Sequence, residues 1–230
     1  MRFIGVMLVL VGCQSSGVTA PDAASSPDGG VVQSLGMVIN WGAAPALPGP
    51  VDNDITVTDA SFQVSLLEII GDAGTGDERT SHAKYMLTWD ATGSPAQDSF
   101  PDAPAGVYSK ITLELAPDGL APYAYEIDGT WQDNRVFGGD PERPFRVIGL
   151  MAMTTSVECN ETLRPGGSAT IDITVGLLNA LEGIDFHRVP QGPDGVPTLI
   201  DGDPQMGNFR GALMHGFQID SSERGRRAGR

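Results

Sequence analysis

Alternation of apolar and polar residues with a period of two is the feature that most constrains the fold of this chain. In the segment Val107–Leu115, Ile111 and Leu113 alternate with Lys110 and Thr112. Successive side chains of a β-strand point to opposite faces of the sheet. The pattern therefore predicts a half-buried strand, with Ile111 and Leu113 in the core and Lys110 and Thr112 exposed to solvent.

The same period recurs along the chain. Regular alternation predicts further strands at Phe62–Leu66, Tyr85–Trp89 and Ala169–Val175. Less regular apolar runs predict four more, at Met37–Trp41, Ile55–Thr58, Tyr123–Ile127 and Phe145–Met153. Short strands separated by turns are typical of an antiparallel β-sandwich, here of about seven to nine strands.

Glycine and proline content favours short elements over long helices. The 230 residues include 30 glycines and 17 prolines, and both residues destabilise helix interiors. Two segments, Gly176–Gly183 and Pro204–Phe217, place apolar residues three or four apart, as an amphipathic helix does. We therefore predict an all-β domain over residues 31–220, with one or two short helices near its C-terminus.

The first thirteen residues carry a targeting pattern. Arg2 precedes ten uncharged, mostly apolar residues, Phe3–Gly12, and Cys13 follows them. A run of this length suits a secretory signal, whereas a transmembrane helix needs about 20 apolar residues. Residues 1–12 are therefore predicted to be a signal peptide.

The end of this run, Leu10-Val11-Gly12-Cys13, resembles the bacterial lipobox. That resemblance implies cleavage before Cys13 and a diacylglycerol on its thiol, which would anchor the protein in the cell envelope. The same resemblance implies the outer membrane, because Gln14 rather than an aspartate occupies the second mature position. Residues 13–30 are rich in Ser, Ala, Gly, Pro and Asp and are predicted to form a flexible tether. The alternative is an ordinary signal peptide cut after Val18-Thr19-Ala20.

The net charge of the chain argues against nucleic acid as a partner. The chain has 29 acidic and 14 basic residues, a net charge of −15, which repels a nucleic-acid backbone.

The C-terminal segment has the opposite charge. Residues 221–230 hold four arginines and one glutamate. We predict that this segment is a disordered basic tail, and contact with an acidic surface is the alternative.

Two short segments resemble a known family. The run Pro104–Ile111 is similar to the turn-and-strand entry of transthyretin-like (prealbumin-like) β-sandwich domains in secreted bacterial lipoproteins, and Thr58-Asp59-Ala60 resembles the start of an earlier strand. In the first run, Pro104 and Gly106 favour a tight turn, and Tyr108 is expected on the face opposite Ile111. The resemblance implies a fold and leaves the function open.

Histidines and methionines offer only dispersed metal ligands. His82, His187 and His215 lie far apart in the sequence, and their spacing fits no zinc motif. Copper is the more specific alternative, because thioether and imidazole groups suit that metal. Its candidate ligands are Met151, Met153, Met214 and His215, with Met151 and Met153 expected on the same face of one strand.

Acidic turns allow calcium as a second metal hypothesis, since calcium takes several oxygen ligands from flexible loops. The candidate groups are Asp52-Asn53-Asp54, Asp128 with Asp133 and Asp140, and Asp201-Gly202-Asp203. None of them fits the EF-hand spacing, and Asp-Gly is ordinary turn chemistry.

No motif for nucleophilic catalysis or cofactor binding is present in the sequence: it lacks G-x-S-x-G and Gly-rich phosphate loops. We therefore expect a non-enzymatic binding or structural module without a cofactor. A metal-binding or hydrolytic periplasmic protein is the alternative, and it requires a histidine within hydrogen-bond reach of a carboxylate in a pocket.

Aromatic residues and Cys159 have two interpretations each. A carbohydrate or protein partner is indicated if the aromatic residues share an exposed surface, and a core role if they are buried. The residues concerned are Trp41, Trp89, Trp131, Tyr123 and Tyr125.

Because a lipidated Cys13 leaves Cys159 unable to form a disulfide within the chain, we predict that Cys159 is a buried strand residue; a reactive or intermolecular thiol is the alternative.

Overall fold

The computed structural model describes residues 35–71, 84–133 and 141–219, and the backbone of 78–82. The segments predicted to be a signal peptide, a tether and a basic tail lie outside this part of the chain, as do Asp140 and Cys13, the residue predicted to carry the lipid.

Strands dominate the described residues. In chain order they are β1 (Gly36–Ala43), β2 (Gly49–Pro50), β3 (Ile55–Gly71), β4 (Glu78–His82), β5 (Tyr85–Trp89), β6 (Asp98–Phe100), β7 (Gly106–Leu115), β8 (Tyr125–Trp131), β9 (Arg143–Gly149), β10 (Met153–Leu163), β11 (Ser168–Val175), β12 (Thr198–Ile200) and β13 (Phe217–Ile219). The helices are α1 (Leu178–Glu182) and α2 (Met206–Gly216), each inside a segment predicted to be helical. The all-β prediction, with short helices near the C-terminus, is confirmed.

The strands form two sheets. The smaller has the order β13-β11-β1-β6, and the larger has the order β10-β7-β3-β8-β9-β12, with β2, β4 and β5 also paired to β3. Most pairs are antiparallel, whereas β1 with β11 and β9 with β12 are parallel. Buried apolar side chains of both sheets form one core; for example, the rings of Phe62 and Phe217 lie 5.7 Å apart. The strands beyond the predicted number include several of two or three residues, which are too short to show a period.

Strand β3 joins two predicted strands into one. Ile55–Thr58 and Phe62–Leu66 are both parts of it, and the strand continues to Gly71. Its pairing with β7 shifts between Val64 and Leu66, where a β-bulge changes which residues face inward. Leu67 is consequently fully buried, which explains the interruption of the alternating pattern at that residue.

Strand β7 confirms the predicted register over most of its length. Ile111 and Leu113 are 1% and 2% exposed, and Lys110 lies in solvent. Thr112 is half-buried rather than exposed, and its Oγ1 lies 3.4 Å from Oγ of Ser156 on β10.

The start of β7 differs from the prediction. Tyr108 was expected on the face opposite Ile111, yet both residues are buried in the same core. The pairing with β3 passes directly from Lys110 to Tyr108, so Ser109 is an extra residue that moves Tyr108 to the inner face. The Tyr108 hydroxyl donates a 2.7 Å hydrogen bond to the Pro104 carbonyl, the geometry of a tyrosine corner.

The predicted strand Phe145–Met153 is divided between β9 and β10. The chain leaves the sheet at Leu150 and Met151, whose backbone N–H groups donate to Oδ2 of Asp201 at 2.6 and 2.9 Å. The Asp201 carboxylate thus accepts hydrogen bonds from both backbone amides, which therefore need no partner on a neighbouring strand.

Candidate functional site

Cross-strand packing on β8 and β9 builds an aromatic floor. Phe145 pairs with Gly129, where an added Cβ would lie 2.7 Å from the Phe145 ring. Glycine at this position therefore leaves room for the ring to lie across β8. Phe186, in the turn after α1, has its ring centroid 4.6 Å from that of Phe145 and 5.5 Å from that of Trp131. These contacts tie the turn after α1 to the end of the large sheet.

A pocket of about 300 Å³ lies above this floor. Three segments line it: the turn between β2 and β3, the end of β8 and the turn after α1. Its described lining includes five carboxylates, Asp52, Asp54, Asp133, Glu182 and Asp185, with Ile55, Ile184, Trp131 and Phe186 as the apolar part. The lining residues that the structure describes include no Lys or Arg. We call this site the acidic pocket.

One histidine belongs to the acidic pocket. Nε2 of His187 lies 2.9 Å from Oδ2 of Asp133, and an N–H at that nitrogen donates to the carboxylate. The His187 ring also stands edge-on to Trp131, with centroids 4.7 Å apart. The His187 side chain is 47% exposed, whereas that of Asp133 is 16% exposed. The pair is thus accessible from the pocket through the histidine.

The carboxylates of the acidic pocket differ in their partners. Asp185 reaches Nε of Arg188 at 3.1 Å, on the solvent side. Asp52 accepts the backbone N–H of Asn53 at 2.6 Å, and Glu182 is exposed at the end of α1. Neither Asp52 nor Glu182 forms an ion pair with the described residues.

Trp131 has a buried indole N–H without a hydrogen-bond partner among the described residues. The residue is only 6% exposed and lines the acidic pocket, and its indole N–H has no acceptor among the residues that the structure describes. The Arg143 guanidinium lies 5.5 Å from the ring centroid, a cation–π contact. A buried donor without a partner costs about 1–3 kcal/mol, so most such groups in native proteins are satisfied.

The predicted histidines occupy different parts of the fold. His187 lies in the acidic pocket, His215 is exposed near the end of α2, and the backbone of His82 pairs with Leu67 across β4 and β3. Within the described ranges, no group of three or more His, Cys, Asp or Glu side chains has the arrangement of a metal site.

The methionines proposed as copper ligands do not share a strand face. Met151 precedes β10 and is 58% exposed, whereas Met153 begins β10 and is 5% exposed. That expectation is wrong, because the chain leaves the sheet between β9 and β10. Met214 is half-buried, and its carbonyl accepts a 2.7 Å hydrogen bond from Thr155.

Two of the acidic turns proposed for calcium serve the fold instead. Oδ1 of Asp128 accepts from Nε of Arg146 at 2.8 Å, and Asp201 forms an ion pair with Arg210. Asp203 accepts the backbone N–H of Gln205 at 2.8 Å. The remaining turn, with Asp52 and Asp54, lines the acidic pocket together with Asp133.

Most of the selected aromatic residues are core residues. Their exposed fractions are 7% for Trp41, 1% for Trp89, 6% for Trp131 and 0% for Tyr125, and Tyr123 is half-buried. They therefore do not form the exposed aromatic surface that would indicate a partner. Trp41 instead donates from Nε1 to the buried Asp98 at 2.8 Å.

Cys159 fits the core interpretation. It lies on β10, is 9% exposed, and its thiol donates to the Tyr108 carbonyl at 3.3 Å.

Sequence reasoning missed the acidic pocket as a unit, although it named several of its members. Glu182, Asp185 and Phe186 were not singled out, because they belong to a turn whose position depends on packing. The one local signal is the triplet Asp185-Phe186-His187, which places an aromatic residue between two polar ones directly after a helix.

Comparison with known proteins adds no assignment. No family model matches the chain, and neither the curated proteins nor the solved structures provide a match. Neither helix in the described residues has the length and apolar character needed to cross a membrane.

Proposed function

We propose that this chain is a lipid-anchored protein of the bacterial cell envelope whose β-sandwich binds a ligand, without catalysis, in the acidic pocket. The observation that carries the proposal is a pocket of about 300 Å³ in which five carboxylates surround an apolar floor. Ligand sites in proteins are concave, mostly pre-formed, and combine apolar walls with a few polar groups.

The cell-envelope part of the proposal rests on the N-terminal sequence. The lipobox-like residues Leu10-Val11-Gly12-Cys13 support a lipid on Cys13 and attachment to the outer membrane. The similarity of Pro104–Ile111 to transthyretin-like domains of secreted lipoproteins is in keeping with this location. A diacylglycerol supplies two acyl chains, and stable membrane anchoring takes two such signals.

Replacing Cys13 tests the anchor. We expect Cys13→Ala to abolish palmitate labelling and to move the protein out of the membrane fraction, because both glycerol-linked chains attach to that thiol. The matched control is Cys159→Ala, since these are the two cysteines of the chain. Palmitate incorporation that survives in Cys13→Ala would show that the lipoprotein proposal is wrong.

A ligand screen tests the binding module. The purified full chain is screened against neutral and charged glycans, short peptides, Ca²⁺ and Cu²⁺. We expect a ligand whose affinity falls in Asp52→Asn and in Glu182→Gln, because both carboxylates line the pocket. Glu158→Gln removes an equal charge from an exposed position on β10 and should leave that affinity unchanged. A ligand that is insensitive to both pocket variants would place binding elsewhere.

A hydrolytic function is the second candidate, and the His187–Asp133 pair is the observation that favours it. A carboxylate can orient a histidine so that it acts as a general base toward water. The described lining contains no Ser, Thr, Cys or Lys to act as a nucleophile, so water or a carboxylate would have to attack. Turnover of an ester or glycoside panel that falls at least a hundredfold in His187→Gln, with a changed pH profile, would establish this function over simple binding.

A further inference from the structure

We propose that Asn160 on β10 is an acceptor for an N-linked glycan, with a polyprenyl-diphosphate-linked oligosaccharide as the donor. The proposal concerns a covalent modification of the chain and is independent of what the acidic pocket binds. Three features carry it: the sequence Asn160-Glu161-Thr162, the exposure of the Asn160 and Thr162 side chains, and their place on a long edge strand.

The acceptor sequence occurs once. Asn-x-Ser/Thr, with a middle residue other than Pro, is the acceptor sequence for N-linked glycans in exported proteins. The chain has six asparagines, and only Asn160 is followed by Ser or Thr two residues later. Such a sequence becomes an acceptor site where its side chains are accessible, so its structural setting decides.

Strand β10 presents both side chains to solvent. Burial alternates along most of the strand: Cys159 and Leu163 are 9% and 1% exposed, whereas Asn160 and Thr162 are exposed residues. In the part of the chain that the structure describes, neither the Asn160 carboxamide nor the Thr162 hydroxyl has a hydrogen-bond partner. A glycan can therefore be attached without displacing a packed or hydrogen-bonded side chain.

A β-bulge interrupts the pairing of β10 at the acceptor. The register against β7 shifts between Glu158 and Glu161, so that two residues, Cys159 and Asn160, lie opposite Ser109 alone. A bulge bends its strand and leaves the extra residue outside the regular ladder. Asn160 therefore lies where the backbone of β10 is held least tightly by its neighbour.

The edge position gives the modification a structural role. β10 ends the order of the larger sheet, and no described strand pairs with its second edge. It has eleven residues, whereas the other strands that end the two sheet orders, β6, β12 and β13, have three each. A long unpaired edge is a template for pairing with another chain. A glycan on Asn160 would hinder such pairing.

The transfer is a displacement at the sugar. Nδ2 of Asn160 forms a bond to the anomeric carbon of the first sugar, and the bond from that carbon to the diphosphate oxygen breaks. The polyprenyl diphosphate leaves with the bonding electron pair, and one proton of the carboxamide is released. An oligosaccharyltransferase of the host catalyses the step, and the Thr162 hydroxyl completes the sequence that this enzyme recognises.

The proposal needs export of the chain but not the lipid on Cys13. Cleavage before Cys13 and cleavage after Ala20 both belong to secretory signals. If the Cys13→Ala test overturns the lipid anchor, the acceptor site is therefore unaffected.

Expression beside a working glycosylation pathway tests the proposal. The full chain is produced in bacteria that contain an oligosaccharyltransferase, its polyprenyl-linked donor and a reporter protein that this enzyme modifies. Mass spectrometry of the chain from the envelope fraction measures the glycosylated fraction and locates the glycan. We expect the glycan on Asn160, and we expect the glycosylated fraction to fall at least about tenfold in Asn160→Gln and in Thr162→Ala.

Two controls separate the acceptor sequence from other effects of substitution. Thr162→Ser keeps the hydroxyl and should retain the glycan. Asn53→Gln changes an exposed asparagine that no Ser or Thr follows two residues later, and it should leave the glycosylated fraction unchanged.

An unmodified Asn160 beside a glycosylated reporter overturns the proposal, and so does a glycan that persists in Thr162→Ala. If the chain does not reach the envelope, the proposed location is wrong, and the purified chain is then incubated with the solubilised transferase and its donor. Transfer to Asn160 in that reaction supports the acceptor site independently of location, and lack of transfer overturns it.

Discussion

Two acidic regions at the β8–β9 hairpin show how differently the same residue type is used. On the outer face, Arg146 lies between three carboxylates, with atom distances of 3.5 Å to Glu126, 2.8 Å to Asp128 and 3.0 Å to Asp194. In the acidic pocket, five carboxylates surround an apolar floor, and the described lining holds no Lys or Arg. Acidic composition alone therefore does not distinguish carboxylates grouped around an arginine from carboxylates that line a pocket.

Strand geometry separates the two regions. Asp128 and Trp131 lie on opposite faces of β8, since burial alternates along that strand. Asp128 is paired with Arg146 across β8 and β9, whereas Trp131 faces the core and meets Phe186. Two residues three positions apart on β8 thus face Arg146 on one side of the sheet and the core on the other.

The pKa directions match this division. The hydrogen bond from Arg146 to Asp128 raises the pKa of Arg146. The backbone N–H of Val196, and after it Arg146, lower the pKa of Asp194. Hydrogen bonds and opposite charges therefore favour the charged forms of both Arg146 and Asp194.

Among the variants that test this comparison, truncation of Phe186 in the floor of the pocket should reduce the stability of the fold most. Phe186 is 5% exposed and packs against Phe145 and Trp131. We expect Phe186→Ala to lower the free energy of unfolding by about 3–5 kcal/mol, as for other buried aromatic truncations. Denaturant melts measure the change, with Leu120→Ala, at a 64% exposed position, as the neutral control. A neutral Phe186→Ala would mean that the pocket is not tied to the core.

Replacing Arg146, the cation shared by the three carboxylates on the outer face, should reduce the free energy of unfolding by a smaller amount. Arg146→Met leaves Glu126, Asp128 and Asp194 without it, and we expect a loss of about 1 kcal/mol, because the cluster is partly exposed to solvent. The loss should shrink as salt is added. Arg164→Met, at an exposed position, is the control. If Arg146→Met and Arg164→Met changed the free energy of unfolding equally, the three carboxylates would not depend on Arg146, and the contrast with the pocket would be wrong.

Neutralising Asp59 should have the smallest effect, with a defined pH dependence. Asp59 lies opposite Asp128 on β3, and burial, followed by the charges of Asp128 and Asp90, raises its pKa against the lowering effect of Ser61. The folded state therefore binds the proton more tightly than the unfolded state. Ionisation of Asp59 then reduces stability as pH rises through the folded-state pKa.

We accordingly expect Asp59→Asn to be slightly more stable than the parent protein at neutral pH, by less than about 0.5 kcal/mol. The difference should vanish below the ordinary aspartate pKa of 3.8, where both proteins carry a neutral group. Thermal melts across this range measure the change. A stability advantage that grows as pH falls would contradict the assigned sign.

Much of the fold was predictable from local pattern. The alternation around Ile111 and Leu113 identified β7 and its buried face, and the spacing of apolar residues located both helices. The errors fall where local pattern is insufficient. Ser109 is a bulge residue, visible only against β3, and it reverses the expected orientation of Tyr108. The parallel pairing of β1 with β11 joins residues more than 130 positions apart, which no period reveals.

The candidate site was predictable only in parts. The Asp52–Asp54 turn, Asp133, Trp131 and His187 were each noted, but as members of separate hypotheses for calcium, aromatic surfaces and dispersed histidines. Their assembly depends on Phe186, which packs the turn after α1 against β8 and β9. The same packing brings Glu182 and Asp185 to the pocket.

By itself, the sequence determined the all-β class, the inward faces of the regular strands and the two short helices, because these follow from side-chain alternation and helical spacing within a few residues. Only the tertiary structure decided which carboxylates received a cation. That outcome depends on strand pairing and on core packing between distant segments: Asp128 meets Arg146 across β8 and β9, while Asp52 and Glu182 are brought to a pocket whose described lining supplies none.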